Sequence, residues 1–186
     1  MIDSKVAMVS IWSYGLVSAL AALVTLYLVS GWRVSGRNRA MCFAVGLTAL
    51  WGAVALGFVF TGNLLFLASA LLVDVLRFGG WYLFLLLLMR PEDAVDESSA
   101  NRPSWLGKTA VLLVFIGFVS QLLTVLGINF AVPPARMALF ASLAMSVFGL
   151  VLIEQLFRTV SPDFRWSIKP LCLGLGAAFL FDLYLY

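Results

Sequence analysis

Leu64–Met89 reads LLFLASALLVDVLRFGGWYLFLLLLM. Its only charges are Asp74 and Arg77, and nearly every other residue is apolar. A helix rises about 1.5 Å per residue, so roughly 20 apolar residues cross the hydrocarbon of a bilayer. This stretch is long enough to span lipid. Five others share its character: Val6–Trp32, Ala40–Phe60, Lys108–Gly127, Arg136–Phe157 and Pro170–Tyr186. The expected fold is all-α: a polytopic membrane helix bundle with six transmembrane helices, read as one module over residues 1–186. The last stretch is barely long enough. Tyr184-Leu185-Tyr186 still reads as membrane helix, so truncation before a seventh helix is expected.

Composition agrees. Hydrophobic residues make up 63% of the 186-residue chain and charged residues 11%, far from the soluble mean. The net charge of +3 sits in short loops and calls for no nucleic-acid partner. With no histidine, the chain cannot build a His-based metal site, a Ser-His-Asp triad or a phosphoaccepting histidine. It has no Walker A, GxGxxG or HExxH motif, and Gly174-Leu175-Gly176 lies inside a membrane stretch. No catalytic residue, cofactor or metal is therefore expected. Cys42 and Cys172 are read as free thiols in helices. The first apolar run is too long for a signal-peptide core and is read as a retained helix.

Basic residues set the topology. The first, third and fifth loops hold Arg33, Arg37, Arg39, Arg90, Arg102, Lys108, Arg158, Arg165 and Lys169, against Lys5 and Arg136 on the other side. This bias places the N-terminus outside and the odd loops in the cytoplasm. Thr61-Gly62-Asn63 reads as a tight turn closing a hairpin of helices two and three, and Pro133-Pro134 as the break before helix five. Residues 90–107, with Glu92, Asp93, Asp96 and Glu97, read as a cytoplasmic acidic linker. Ser161-Pro162-Asp163 predicts a short interfacial helix anchored by Trp166, with Lys169-Pro170 restarting the chain as helix six. Small residues recur four apart at Ala49, Ala53 and Gly57, at Ala138, Ser142 and Ser146, and at Gly174 and Ala178. Such faces serve close packing within the bundle or, alternatively, a homodimer. Trp12, Tyr14, Trp32 and Trp105 fit aromatic belts.

Four polar residues lie deep in the apolar stretches. A charged residue at mid-bilayer costs about 2.5–3.5 kcal/mol on insertion scales, so it should face inward with a partner. Asp74 and Arg77, three apart, share one helical face. Gln121 and Asp182, counted from the cytoplasmic ends of their stretches, are each roughly 18–20 Å deep. The expectation is one layer in which Arg77 pairs with Asp74 locally or with Asp182 at long range. That layer serves as a structural ion pair or as a switch or pocket. Glu154 and Arg158, four apart at the end of helix five, are expected to form a helix-end ion pair.

Several segments resemble the membrane-embedded N-terminal region of the PrsK family, the histidine kinases associated with bacterial PEP-CTERM/exosortase systems and exopolysaccharide production. They are Glu154-Gln155-Leu156-Phe157-Arg158, then Arg165-Trp166-Ser167-Ile168-Lys169-Pro170-Leu171-Cys172-Leu173-Gly174-Leu175-Gly176, and Phe181-Asp182-Leu183-Tyr184-Leu185-Tyr186. Ser10-Ile11-Trp12-Ser13-Tyr14-Gly15 and Leu76-Arg77 with Trp81-Tyr82-Leu83-Phe84 are similar too. The resemblance implies a multi-pass inner-membrane signal-input module with downstream kinase domains and a response regulator as partners. In that family a further membrane segment, a GAF-like region and a cytoplasmic kinase core follow. It carries over no ligand residue. The alternative, read from the helix layout, is a small inverted-repeat transporter: three helices on each side of the acidic linker give halves of opposite orientation.

The topology has a direct check. Alkaline phosphatase, which is active only outside the cytoplasm, is expected to be active when fused at Gly62 and silent when fused at Ser98. The reverse pattern would contradict the assignment.

Overall fold

The computed structural model of the chain describes residues 4–30, 36–89, 104–128, 133–159 and 162–185. Among them there are six helices and no strand: α1 (Ser4–Ser30), α2 (Gly36–Thr61), α3 (Leu64–Leu88), α4 (Ser104–Val125), α5 (Pro134–Thr159) and α6 (Pro162–Leu185). All six are long and apolar enough to cross a membrane. Lipid offers the backbone no hydrogen bonds, so the chain must satisfy its own N–H and C=O groups, and a helix does so within one segment. Hydroxyls follow the same rule. Thr25, Thr48, Ser69, Thr124 and Ser146 each donate to the carbonyl four residues back. The chain is a multi-pass membrane helix bundle.

The helices run further than the apolar stretches do. Arg37 and Arg39, expected in a loop, lie in the first turns of α2, and Ser104–Gly107, expected in the linker, begin α4. Long basic side chains reach the headgroups from within a helix, so the helix need not end where its apolar run ends. Residues 90–103 of the acidic linker lie outside the described residues. The fifth loop departs most from expectation. There is no separate interfacial helix with a restart at Lys169-Pro170. Pro162–Leu185 is one helix with Pro170 inside it. Proline removes a single backbone donor, a loss that membrane helices tolerate more readily than soluble ones.

Two turns have clear chemistry. Gly62, at φ 64°, takes the left-handed position that ends α2, and its N–H donates to the Phe58 carbonyl at 2.8 Å. Asn63 then caps α3, its Oδ1 accepting the Leu65 N–H at 2.9 Å. At the end of α4, Gly127 (φ 68°) donates to the Thr124 carbonyl and Ile128 to that of Leu123, each at 3.2 Å. This is the paired closure of a Schellman motif. Pro134 opens α5 at the first helical position, where its missing N–H costs nothing.

The chain divides into two compact units, Met1–Trp81 and Tyr82–Tyr186, with the boundary inside α3. In the first unit α1, α2 and α3 form an antiparallel succession. A β-carbon on Gly52 of α2 would sit 3.1 Å from the Ser18 Cβ of α1, and one on Gly80 of α3 would sit 3.2 Å from the Ala44 Cα. Ser18 also donates to the Ala49 carbonyl at 3.1 Å. The closely packed positions of α2 therefore include Ala44, Gly52 and, from the expected stripe, Gly57, where a β-carbon would come within 2.9 Å of the Phe66 ring of α3. In the stripe expected from spacing, Ala53 is exposed. Which small residue is used depends on what the neighbouring helix presents to it (Ser18, Gly80 or the Phe66 ring), which one helix's spacing cannot reveal.

In the second unit α5 packs against both α4 and α6. Ala138, Ser142 and Ser146 are buried, as their spacing predicts. On α6 the buried stripe is Ile168, Cys172, Leu175, Phe179 and Asp182. Gly174 and Ala178, expected on the packed face, are exposed. The Phe179 ring lies over Gly149, where a β-carbon would come within 2.7 Å of it. Bulky apolar side chains remain exposed around the bundle, among them Leu20 and Leu23 on α1 and Phe115 on α4. Those surfaces need lipid to cover them.

The glycine contacts make a stability prediction. Gly52→Val and Gly149→Val are each expected to cost about 1–3 kcal/mol by overpacking. Gly174→Ala, with nothing within 4 Å of the added carbon, is expected not to destabilise. Reversible unfolding in mixed micelles measures all three, and equal losses at the three positions would contradict this packing.

Candidate functional site

The sequence pattern places Asp74 and Arg77 one helical turn apart in the middle of α3, and the structure joins them. Arg77 donates from Nε at 3.0 Å and from Nη2 at 2.9 Å, both to Asp74 Oδ1. Their side chains are 11% and 8% exposed, so little water reaches the pair. The guanidinium lies over the Trp51 ring of α2 at 4.7 Å and near the Phe78 ring at 5.1 Å. Trp51 in turn meets Tyr14 of α1 edge-on, with ring centroids 5.6 Å apart. One turn along α3, Trp81 Nε1 donates to Thr48 Oγ1 at 3.2 Å. Thr48 itself donates to the Ala44 carbonyl at 3.0 Å. The first unit thus holds a buried ion pair flanked by aromatic rings: α3 supplies both charges and the Phe78 ring, α2 the Trp51 ring, and α1 the Tyr14 ring behind it.

The energetics follow from burial. Each ion alone would carry a desolvation penalty of several kcal/mol, which their mutual attraction offsets. A cation over an indole adds up to about 2 kcal/mol when water is excluded. The chemical character of the arrangement is electrostatic: a change of charge on Asp74 alters the main ionic contact of a buried cation that also rests on Trp51.

The second unit holds the other expected members. Gln121 on α4 and Asp182 on α6 are buried, with Ser120, Ser142 and Ser146. Tyr82, at the α3 end of this unit, donates its hydroxyl to the Met145 carbonyl. Its ring lies 5.3 Å from that of Phe148 and 6.4 Å from that of Phe179. Among the described residues no fully buried side-chain polar atom lacks a partner, so this polar interior is satisfied internally. Glu154 and Arg158 form the expected helix-end pair at 2.6 Å, with side chains 56% and 71% exposed. Water screens such a pair, and it contributes little. Cys42 and Cys172 are free thiols. Among the described residues no three His, Cys, Asp or Glu side chains gather in a way that would hold a metal ion.

Sequence reasoning missed Trp51, Thr48, Trp81 and Tyr82 as participants. A signal existed: Trp51 and Trp81 lie mid-helix, away from the interfaces where tryptophan normally gathers. A mid-span indole needs an acceptor for its N–H, which a threonine hydroxyl on the neighbouring helix supplies to Trp81, and its ring face suits a cation, as Trp51 shows with Arg77. No known protein family, no characterised protein and no solved structure matches the chain.

The pair predicts an asymmetric mutational pattern. Arg77→Leu or Asp74→Leu alone is expected to cost about 3–5 kcal/mol, because each takes one member out of a buried ion pair. The double variant should cost clearly less than the sum. Glu154→Gln should stay within about 1 kcal/mol. Unfolding in mixed micelles completes the cycle, and strict additivity of the two α3 substitutions would contradict the pairing.

Proposed function

We propose that this chain is the membrane-embedded signal-input region of a bacterial sensor histidine kinase linked to PEP-CTERM/exosortase and exopolysaccharide production. The class of protein comes from the resemblance over Glu154–Tyr186 and around Arg77. The structural observation that favours a sensing role is the dry Asp74–Arg77 clasp on α3. That helix belongs to both compact units, contributing residues up to Trp81 to one and from Tyr82 to the other. A stimulus that disturbs the clasp therefore acts on the helix whose later residues, from Tyr82 with its bond to Met145, belong to the second unit. In this reading the protein lies in the inner membrane with a periplasmic N-terminus. Its partners are the bilayer, a second copy in a homodimer, downstream kinase domains and a response regulator.

An inverted-repeat transporter fits less well. Its two halves would divide at the acidic linker, whereas the compact units divide inside α3. Catalysis belongs outside this chain, which has no histidine.

Two measurements test the proposal. The reading frame followed past Tyr186 is expected to encode a further crossing, a phosphoacceptor histidine and an ATP-binding domain. A frame that closes without them would refute the kinase reading. In the parent protein, Arg77→Leu is expected to alter regulator phosphorylation severalfold and Arg158→Leu to leave it nearly unchanged. Normal signalling by a stably inserted Arg77→Leu protein would remove the clasp from the mechanism.

A further inference from the structure

One end of the second unit combines two features that the signalling proposal does not use. The unit's helices alternate in direction. Only residues 126–133 separate α4 from α5, which packs on it, and only residues 160 and 161 separate α5 from α6. Connections this short between long packed helices make antiparallel neighbours. The start of α4, the end of α5 and the start of α6 therefore share one end of the unit.

That end is basic and aromatic together. Lys108 lies in the second turn of α4, Arg158 in the last turn of α5 and Lys169 in the third turn of α6, all three exposed. The acidic residues at this end of the helices are Glu154, which pairs with Arg158, and Asp163 in the first turn of α6. Trp105 is 54% and Trp166 76% exposed. The Lys169 ammonium lies over the Trp166 ring, 4.7 Å from its centroid, so cation and indole are presented as one group.

We infer that this end of the second unit is a binding surface for anionic phospholipid headgroups. The chemistry selects the occupant. Ammonium and guanidinium groups attract a phosphodiester, and an indole settles at the level of the headgroups, its ring in the acyl boundary and its N–H toward water. An acidic peptide, such as residues 92–97 of this chain, would be served by the cations alone. It would leave both indoles exposed, whereas a lipid covers both. The inference holds whichever side of the membrane this end faces, and it does not depend on the kinase reading.

Electron spin resonance of the full chain in bilayers tests it. The probes are spin-labelled phosphatidylglycerol and spin-labelled phosphatidylcholine at 0.1 M salt. A basic side chain at an anionic surface favours the charged lipid by about fivefold. The protein-restricted signal is therefore expected to favour phosphatidylglycerol severalfold. The preference should shrink in 1 M salt, where charges are screened within about 3 Å. The combined Lys108→Gln, Arg158→Gln and Lys169→Gln variant should lose most of it while keeping its helix content by circular dichroism. Equal restriction of the two lipids by the unmodified protein would overturn the proposal, and so would an unchanged preference in the triple variant. A preference that emerges only after Glu92→Gln, Asp93→Asn, Asp96→Asn and Glu97→Gln would overturn it too, because the acidic segment would then be the occupant.

Discussion

Hydrocarbon hydrogen-bonds to nothing, and every feature of this chain answers to that fact. It forces the backbone into helices, turns hydroxyls such as those of Thr25, Ser18 and Ser146 to carbonyls of their own helix or the next, and makes a charge tolerable only beside its opposite. The Asp74–Arg77 pair is the sharpest instance. Two ions sit at a depth where either alone would be costly, and they persist because each neutralises the other. The Trp51 and Phe78 rings occupy the remaining space around the cation. Removing water also makes the pair sensitive. In a low-dielectric surrounding, a change of one charge alters helix packing far more than it would at a wet surface.

Much of the fold was legible because the bilayer imposes a length on each element. All six helices lie where the apolar runs place them, the Gly62 turn closes the hairpin, and Pro134 opens α5. What failed was the reading of ends. Arg37, Arg39 and Ser104–Gly107 are helical although polar, because the backbone can continue its ladder into the headgroup layer while long side chains seek water. Pro170 misled for a related reason. A proline marks a boundary in soluble proteins, but a membrane helix absorbs one missing donor. The small-residue stripes were half legible. Ala138, Ser142 and Ser146 are buried, whereas Ala53, Gly174 and Ala178 are exposed. Periodicity tells which residues share a face but not which face finds a partner.

The candidate site followed the same division. The Asp74–Arg77 pair was readable from spacing and from cost, since both partners lie on one helix. The aromatic clasp was not, because it depends on α2 presenting Trp51 at the depth of Arg77 and Thr48 at the depth of Trp81. Those registers are set by the Gly62 turn and by the close approach of Gly80 to Ala44. The site is thus built by packing geometry around a charge pair that the sequence already contains. The proposed signalling role draws on this construction, because the pair sits on α3, whose residues divide between the two compact units.

The most direct measurement is a solid-state NMR distance in hydrated lipid bilayers. The protein would carry nitrogen-15 in the Arg77 guanidinium and carbon-13 in the Asp74 carboxyl. The account predicts strong dipolar dephasing between the two labels, as for an ion pair within about 4 Å, and negligible dephasing of Arg77 by lipid phosphorus-31. Dephasing by phosphorus with none from the carboxyl would show Arg77 reaching for the headgroups, and would contradict the buried pair at the centre of the account.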